Sequence, residues 1–388
     1  MEKILKIIFA ASVFVFLTAL AFIFALRIPE KTSLNGVFET ASYPSENQSV
    51  WNGQFQAQYA KWFNDNFGKH NFILKVYNQI KYSLFNEGNA RWIIGSDKYL
   101  FDVGQAKRNF SSGNTDEEFE NYAALIADFQ KKMISMGKKT LFVLTPCKAE
   151  IYPEKLPWNY KSLTQRYKDS EEITRFKLIS AFDKNNVIYY DATQDVMDIK
   201  NANEYPAFYN TAHHWSFMAA ANTTKKMLEL TGDKFANFEV PEINIVNYSG
   251  EEFRMDKDAY LLLNVFRGKK ADSYDSPFIS YGKPSAEKVY IYGSSFSGEI
   301  FYTIAKTADE LCVKEITYQT YNTIRSHREK SVDDTKYFKE GEAFQYFMDD
   351  CMNCTFLIME QQVAGGVMGP HEEFIEYLMK ELNKNTDK

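Results

Sequence analysis

Four short runs constrain this chain more than any other feature. They are residues 139–145 (KTLFVLT), 187–191 (VIYYD), 288–294 (KVYIYGS) and 354–361 (CTFLIMEQ). Each is rich in β-branched and aromatic residues, too short for a helix, and apolar without the alternation of a half-wetted strand, so each reads as a strand buried on both faces. Stretches with helical spacing separate them, at residues 117–136, 170–184, 216–230, 297–307 and 370–382. Pro370 suits a first helical turn, where its missing N–H is harmless. Strands alternating with helices predict an α/β fold whose mainly parallel sheet is covered on both faces.

Residues 7–26 (IIFAASVFVFLTALAFIFAL) form an almost wholly apolar run. At 1.5 Å per residue it spans a hydrocarbon core of roughly 30 Å. Lys3 and Lys6 precede it, so the expected orientation leaves a short amino terminus in the cytoplasm and the rest of the chain outside. The segment is too long, and lacks a clean small-residue cleavage site, to be read first as a signal peptide; that remains the alternative. The expected layout is therefore an anchor over residues 1–27, an amino-terminal extension over 28–90 that packs on the main domain and has a helix near 54–85, and a main domain over 91–388. Within the last, residues 235–284 are Asp- and Tyr-rich around one apolar patch and read as an insertion beside the active-site edge.

The formal net charge of −6 and the absence of a long Lys/Arg block leave no phosphate-neutralising face, so nucleic acid is not an expected partner. The four cysteines, Cys147, Cys312, Cys351 and Cys354, contain one C-x-x-C pair only, which does not make a zinc site. Outside the cytoplasm Cys351 and Cys354 could form a disulfide, and free buried thiols are the other reading. No metal or other cofactor is expected.

The most informative run for chemistry is residues 289–300 (VYIYGSSFSGEI), an apolar strand ending at Gly293 with a helix starting a few residues later. Such a turn places Ser295 at the carboxyl edge of the sheet, where open α/β folds build their sites. Backbone N–H groups at the helix start could stabilise an oxyanion there. Helix capping by these serines is the plainer reading, so a nucleophile needs a base. Residues 208–220 (FYNTAHHWSFMAA) offer one, with His213 and His214 ahead of Trp215 and a helix. His70, His327 and His371 are isolated and are not expected to act in catalysis.

Taken together, these residues carry a resemblance. G-S-S-F at 293–296 is similar to the G-[D/T]-S-[F/Y] nucleophile turn, and T-A-H-H-W at 211–215 resembles the T-D-x-H-W motif, of the alginate O-acetylation proteins AlgX and AlgJ and their DHHW-type relatives. RWIIGSDKYLF at 91–101 and PCKAEIYPEKLP at 146–157 are similar to two further motifs of that family, in the same order. The resemblance covers residues 91–362 and implies a three-layer SGNH-hydrolase-like fold, outside the cytoplasm or at the cell surface. It also implies transfer of acetyl groups onto an exopolysaccharide or cell-wall glycan, with the acetyl group supplied through a membrane-bound O-acyltransferase. By position, Ser295 matches the nucleophile and His214 the general base. The family's aspartate corresponds to Ala212, so the triad is expected to be incomplete, with Asp191 as the nearest substitute carboxylate. Tyr321 and Arg325 fall where relatives carry site-lining residues, and His213 and Trp215 are expected beside them. Lys148 and Tyr152 read as structural or rim residues.

The expected function is thus acetyl transfer through an acetyl-Ser295 intermediate. A carbohydrate esterase uses the same machinery with water as acceptor. A non-catalytic glycan-binding subunit of an export complex is the alternative that Ala212 motivates.

Overall fold

The computed structural model describes residues 2–26, 28–36, 41–45, 49–161, 172–306, 310–320, 323–327, 336–337 and 351–384. The chain divides into two compact units, one of residues 1–89 with 259–269 and one of residues 90–258 with 270–388.

In the larger unit a hairpin of β1 (Trp92–Ile94) and β2 (Leu100–Asp102) precedes the main sheet. The sheet strands in chain order are β3 (Lys139–Thr145) and β4 (Tyr189–Asp191), then, after a hairpin of β5 (Ile243–Ser249) and β6 (Asp275–Tyr281), β7 (Lys288–Gly293), β8 (Glu315–Thr320), β9 (Thr323–His327), β10 (Lys336–Tyr337) and β11 (Phe356–Gln362). Their spatial order is β10-β9-β8-β7-β11-β3-β4. The run β8-β7-β11-β3-β4 is parallel, and β9 and β10 are antiparallel additions at one edge. The fold is the mainly parallel α/β arrangement expected, and all four anticipated strands lie in it.

Every residue of β3 and β11 is buried, which explains why these strands read as continuous apolar runs. Truncating a fully buried side chain there, such as Ile358→Ala, costs about 2–5 kcal/mol. The helices Asp116–Ser135, Thr174–Asn185, Phe217–Lys234 and Gly369–Lys384 lie close to the stretches their spacing marked. Thr115 and Glu118 form a reciprocal capping box at the first, and Ser216 caps the third through the Ala219 N–H at 3.1 Å.

The smaller unit holds the apolar helix Glu2–Ala25, which is long and apolar enough to cross a membrane. The single helix expected near 54–85 is instead two, Gln54–Asn66 and His70–Ile80, followed by a wider turn at Lys81–Phe85. The break falls at Gly68, whose φ of 60° an L side chain rarely adopts.

Candidate active site

The site lies at the carboxyl edge of β7. Gly293 ends this strand opposite Glu360 of β11, and a Cβ built on Gly293 would sit 2.6 Å from Glu360 Oε2 and 2.7 Å from its carbonyl oxygen. Only glycine fits against that buried carboxyl group. Glu360 Oε2 accepts from the Ser294 N–H and the Ser294 hydroxyl, both at 2.8 Å, while Oε1 accepts from Thr145 of β3. Ser294 Oγ in turn accepts from the Phe296 N–H at 3.2 Å, and the Ser297 N–H and hydroxyl both donate to the Ser294 carbonyl. This wiring fixes a tight turn and leaves Ser295 at its exposed apex.

The T-A-H-H-W segment meets that apex. His214 Nε2 is 2.8 Å from Ser295 Oγ, and His214 Nδ1 is 2.6 Å from Asp258 Oδ2. The other Asp258 oxygen accepts from the His213 N–H at 2.7 Å. The turn Arg254–Lys257 delivers Asp258, and it is itself tied down by Thr211, whose hydroxyl donates to the Asp256 carbonyl at 2.6 Å, and by Asp256, which accepts from the Phe217 N–H at 3.2 Å. A serine hydroxyl, an imidazole and a carboxylate are therefore in hydrogen-bonded series, the arrangement that activates a nucleophile and holds the base in one tautomer.

The electrostatics match this series. Burial alone would push the His214 imidazole down, but Asp258, with Glu299 and Glu360 nearby, outweighs it and holds His214 above the ordinary histidine value. Burial would raise the Asp258 carboxyl, yet the attraction and hydrogen bond of His214 keep it below its usual range. Burial pushes Glu299 up to about 8, Glu360 up to about 7 and Asp256 up to about 7. Among the described residues, one oxygen each of Glu299 and Asp256 is buried with no hydrogen-bond partner, which fits the upward push that burial gives both carboxyl groups.

The other two motifs are the scaffold of this loop. Lys148 is buried, and its ammonium donates to the carbonyls of Tyr209 at 2.7 Å, Ala212 at 2.6 Å and Asn210 at 3.4 Å. Burial pulls its pKa down to about 7. Leu100 of the first hairpin donates its N–H to the Asn210 carbonyl at 3.0 Å, and Tyr152 accepts from the Ala207 N–H at 3.3 Å. At Gly95 an added Cβ would meet the Lys155 carbonyl oxygen at 2.1 Å, so these two motifs touch each other as well as the histidine loop.

Several expected site residues are placed differently. Ala212 is fully buried and offers His214 no carboxylate; Asp258, which motif reasoning missed, fills that role. Asp191 does not substitute, because one oxygen pairs with Arg175 at 2.9 Å and the other accepts from the Thr193 N–H at 3.0 Å to cap the helix Ala192–Ala202. His213 and Trp215, expected along a substrate surface, are buried instead. His213 Nε2 lies 3.2 Å from the Gln105 amide nitrogen, and the ring packs edge-on against both Trp92 and Phe296; burial beside His214 drives its pKa down to about 3. Trp215 Nε1 donates to Glu299 at 3.3 Å. Tyr321 lies outside the described residues; Arg325 belongs to β9 by its backbone, and its side chain is outside what is described. The four cysteines are buried free thiols, with Cys354 Sγ 2.9 Å from the Cys351 carbonyl. Among the described residues no cluster of His, Cys, Asp and Glu has the form of a metal site.

Residues 93–238 match the family described as "SGNH hydrolase-like domain, acetyltransferase AlgX". Over that segment the chain is AlgX-like, the resemblance its motifs carry; Asp258 and Ser295 lie beyond it. The chain is 23% identical over 174 residues to the "Probable alginate O-acetylase AlgJ" of Pseudomonas aeruginosa, an alignment covering 45% of this chain and 41% of that protein. It therefore spans about two fifths of that relative's length. Among solved structures, the O-acetyltransferase domain of Pseudomonas putida AlgJ aligns with a TM-score of 0.44 at 15% identity, covering 71% of this chain and 92% of that one. Bacillus cereus PatB1 aligns at 0.43 and 12%, covering 72% and 97%.

Proposed function

We propose that this protein is an extracytoplasmic O-acetyltransferase that carries an acetyl group on Ser295 and passes it to a glycan hydroxyl. The observation that carries this reading is His214 bridging Ser295 Oγ and Asp258 within hydrogen-bond distance of both. Asp258 holds Nδ1–H toward itself, leaving the Nε2 lone pair for the serine proton.

The reaction runs as two displacements. In the first, His214 takes the Ser295 proton as Oγ attacks the acetyl carbonyl of an activated ester. The tetrahedral oxyanion collapses, the leaving oxygen departs with the proton returned by imidazolium, and acetyl-Ser295 remains. In the second, His214 takes the proton of a sugar hydroxyl as that oxygen attacks the serine ester, and the tetrahedral oxyanion collapses with the imidazolium returning the proton to Ser295 Oγ, which leaves free Ser295 and the acetylated sugar. The Ser295 N–H, at the turn ahead of the helix Ser297–Ile304, is our candidate oxyanion donor.

A polysaccharide acceptor is suggested by the name of the AlgJ relative, a probable alginate O-acetylase, while a cell-wall glycan acceptor and donation through a membrane-bound O-acyltransferase follow the family resemblance alone. The apolar helix Glu2–Ala25, whose first turns carry Lys3 and Lys6, supports a single membrane crossing with the larger unit outside the cytoplasm. The non-catalytic alternative rested on a missing carboxylate, and Asp258 removes that motive. Turnover of an acetyl ester by the parent and by Ser295→Ala tests the reading: loss of turnover in a folded variant supports it, and equal rates reject it.

A further inference from the structure

The smaller unit contains an aromatic group that the proposed chemistry does not use. On the helix Gln54–Asn66, Phe55, Tyr59, Trp62 and Phe63 recur at three- and four-residue spacing, and Phe67 follows at the helix end. None of the helix residues is buried, so this stripe is not a core face. Its rings are gathered at the carboxyl-terminal end of the apolar helix. Phe24, in the last turn of Glu2–Ala25, lies 5.7 Å from the Trp62 ring, 5.3 Å from Phe63 and 5.4 Å from Phe67. Tyr43 packs edge-on against Trp62 at 4.9 Å and against Tyr59 at 6.1 Å. Close packing at Gly68 fixes the register, since a Cβ there would meet Leu20 Cδ2 at 3.1 Å. Beyond these contacts, Tyr43, Tyr59 and above all Trp51, 99% exposed, present rings to the surroundings.

We propose that this group is an interfacial collar: the helix Gln54–Asn66 and Trp51 sit in the headgroup layer of the bilayer that Glu2–Ala25 crosses, giving a second attachment around the point where the chain leaves the membrane. The occupant is lipid because the stripe is continuous, ring against ring, with the last turn of the crossing helix. That continuity sets its depth near the interface, where the apolar body and polar edge of Trp and Tyr are both satisfied. The opposite side of the helix carries Gln54, Lys61 and Asn64 rather than a basic face, so attachment depends on the rings and not on anionic lipid. This inference rests on the proposed membrane crossing.

The test uses the full chain in zwitterionic phosphatidylcholine bilayers, with tryptophan emission read against lipids brominated near the headgroup or deep in the acyl chains. Headgroup-proximal bromine is expected to quench the parent, and most of that quenched component is expected to be lost in the Trp51→Phe, Trp62→Phe double variant. Phe14→Trp, placed within the crossing helix, is expected to add emission quenched by deep bromine. If the Phe14→Trp emission is quenched but the double variant loses none of the headgroup-quenched component, the collar is wrong and the crossing stands. If the Phe14→Trp emission is not quenched, the crossing and the collar fall together.

Discussion

Asp258 holds His214 through two consecutive residues at once: Oδ2 is 2.6 Å from the His214 Nδ1, and Oδ1 accepts the N–H of His213 at 2.7 Å. One carboxylate thus sets both the tautomer of the ring and the course of the backbone that carries it. Exchanging Asp258 for asparagine keeps the shape, but the amide nitrogen can turn toward Nδ1 and favour the wrong tautomer. Asp258→Asn is expected to lower kcat for an acetyl ester on the order of 10⁴-fold. Asp191→Asn is expected to change the rate little, because Asp191 serves Arg175 and a helix cap.

The acid limb of kcat/KM reports the free-enzyme base. His214 must be neutral to accept the serine proton, and Asp258 holds its pKa above the ordinary histidine value. Activity is therefore expected to fall as pH drops through that raised pKa. Removing the carboxylate in Asp258→Asn should move the limb to lower pH, alongside the loss in rate; a limb that stays in place would detach Asp258 from the titrating base.

Glu299 makes a prediction about stability. Its pKa is raised by burial to about 8, above the roughly 4.3 of an unfolded glutamate. The unfolded chain loses this proton first, so the group destabilises the fold progressively as pH rises from near the unfolded value through about 8. Glu299→Gln keeps an oxygen for the Trp215 N–H and cannot ionise. Thermal melts are expected to show it more stable than the parent at high pH, with the advantage gone at pH near 4.

Ala212→Asp tests whether the position of the relatives' aspartate is still available. Nδ1 of His214 is already occupied and Ala212 is fully buried, so a new carboxylate there would be desolvated without a prepared partner, at a cost of several kcal/mol. A lower melting temperature with no gain in rate is expected. A substantial rise in kcat would show that Asp258 does not complete the triad.

Glu360 is expected to act on the reaction by positioning Ser294 and the turn. Glu360→Gln can still accept from the Ser294 N–H and should retain much of kcat. Glu360→Ala removes the acceptor for the Ser294 N–H and hydroxyl and should lower kcat with KM little changed. Rescue by Gln, relative to Ala, distinguishes positioning from general loss of fold, which the melting temperature of each variant also reports.

The strands and the Ser295–His214 pair were legible because both are local patterns: a doubly buried strand writes a continuous apolar run, and the motifs place serine and histidine on the turns that follow known elements. Asp258 was not, since it lies 44 residues from His214 and no short motif joins them. The only signal was the Asp-rich character of residues 235–284, which read as an insertion beside the site without singling out one carboxylate. His213 and Trp215 read as substrate-facing because the motif does not say which way each ring points; in the fold, only His214 turns toward Ser295. The strands at 315–320 and beyond carry polar residues among apolar ones, so their weak pattern did not mark them.

The most direct measurement is intact-mass analysis of the full-length protein after brief exposure to an activated acetyl ester, with the modified peptide mapped. One added acetyl group on Ser295, absent from Ser295→Ala and discharged when a glycan acceptor is added, is the expected result. Turnover of the ester with no acetyl group on Ser295 under rapid quench, or acetylation that persists unchanged in Ser295→Ala, would contradict a serine-borne transfer.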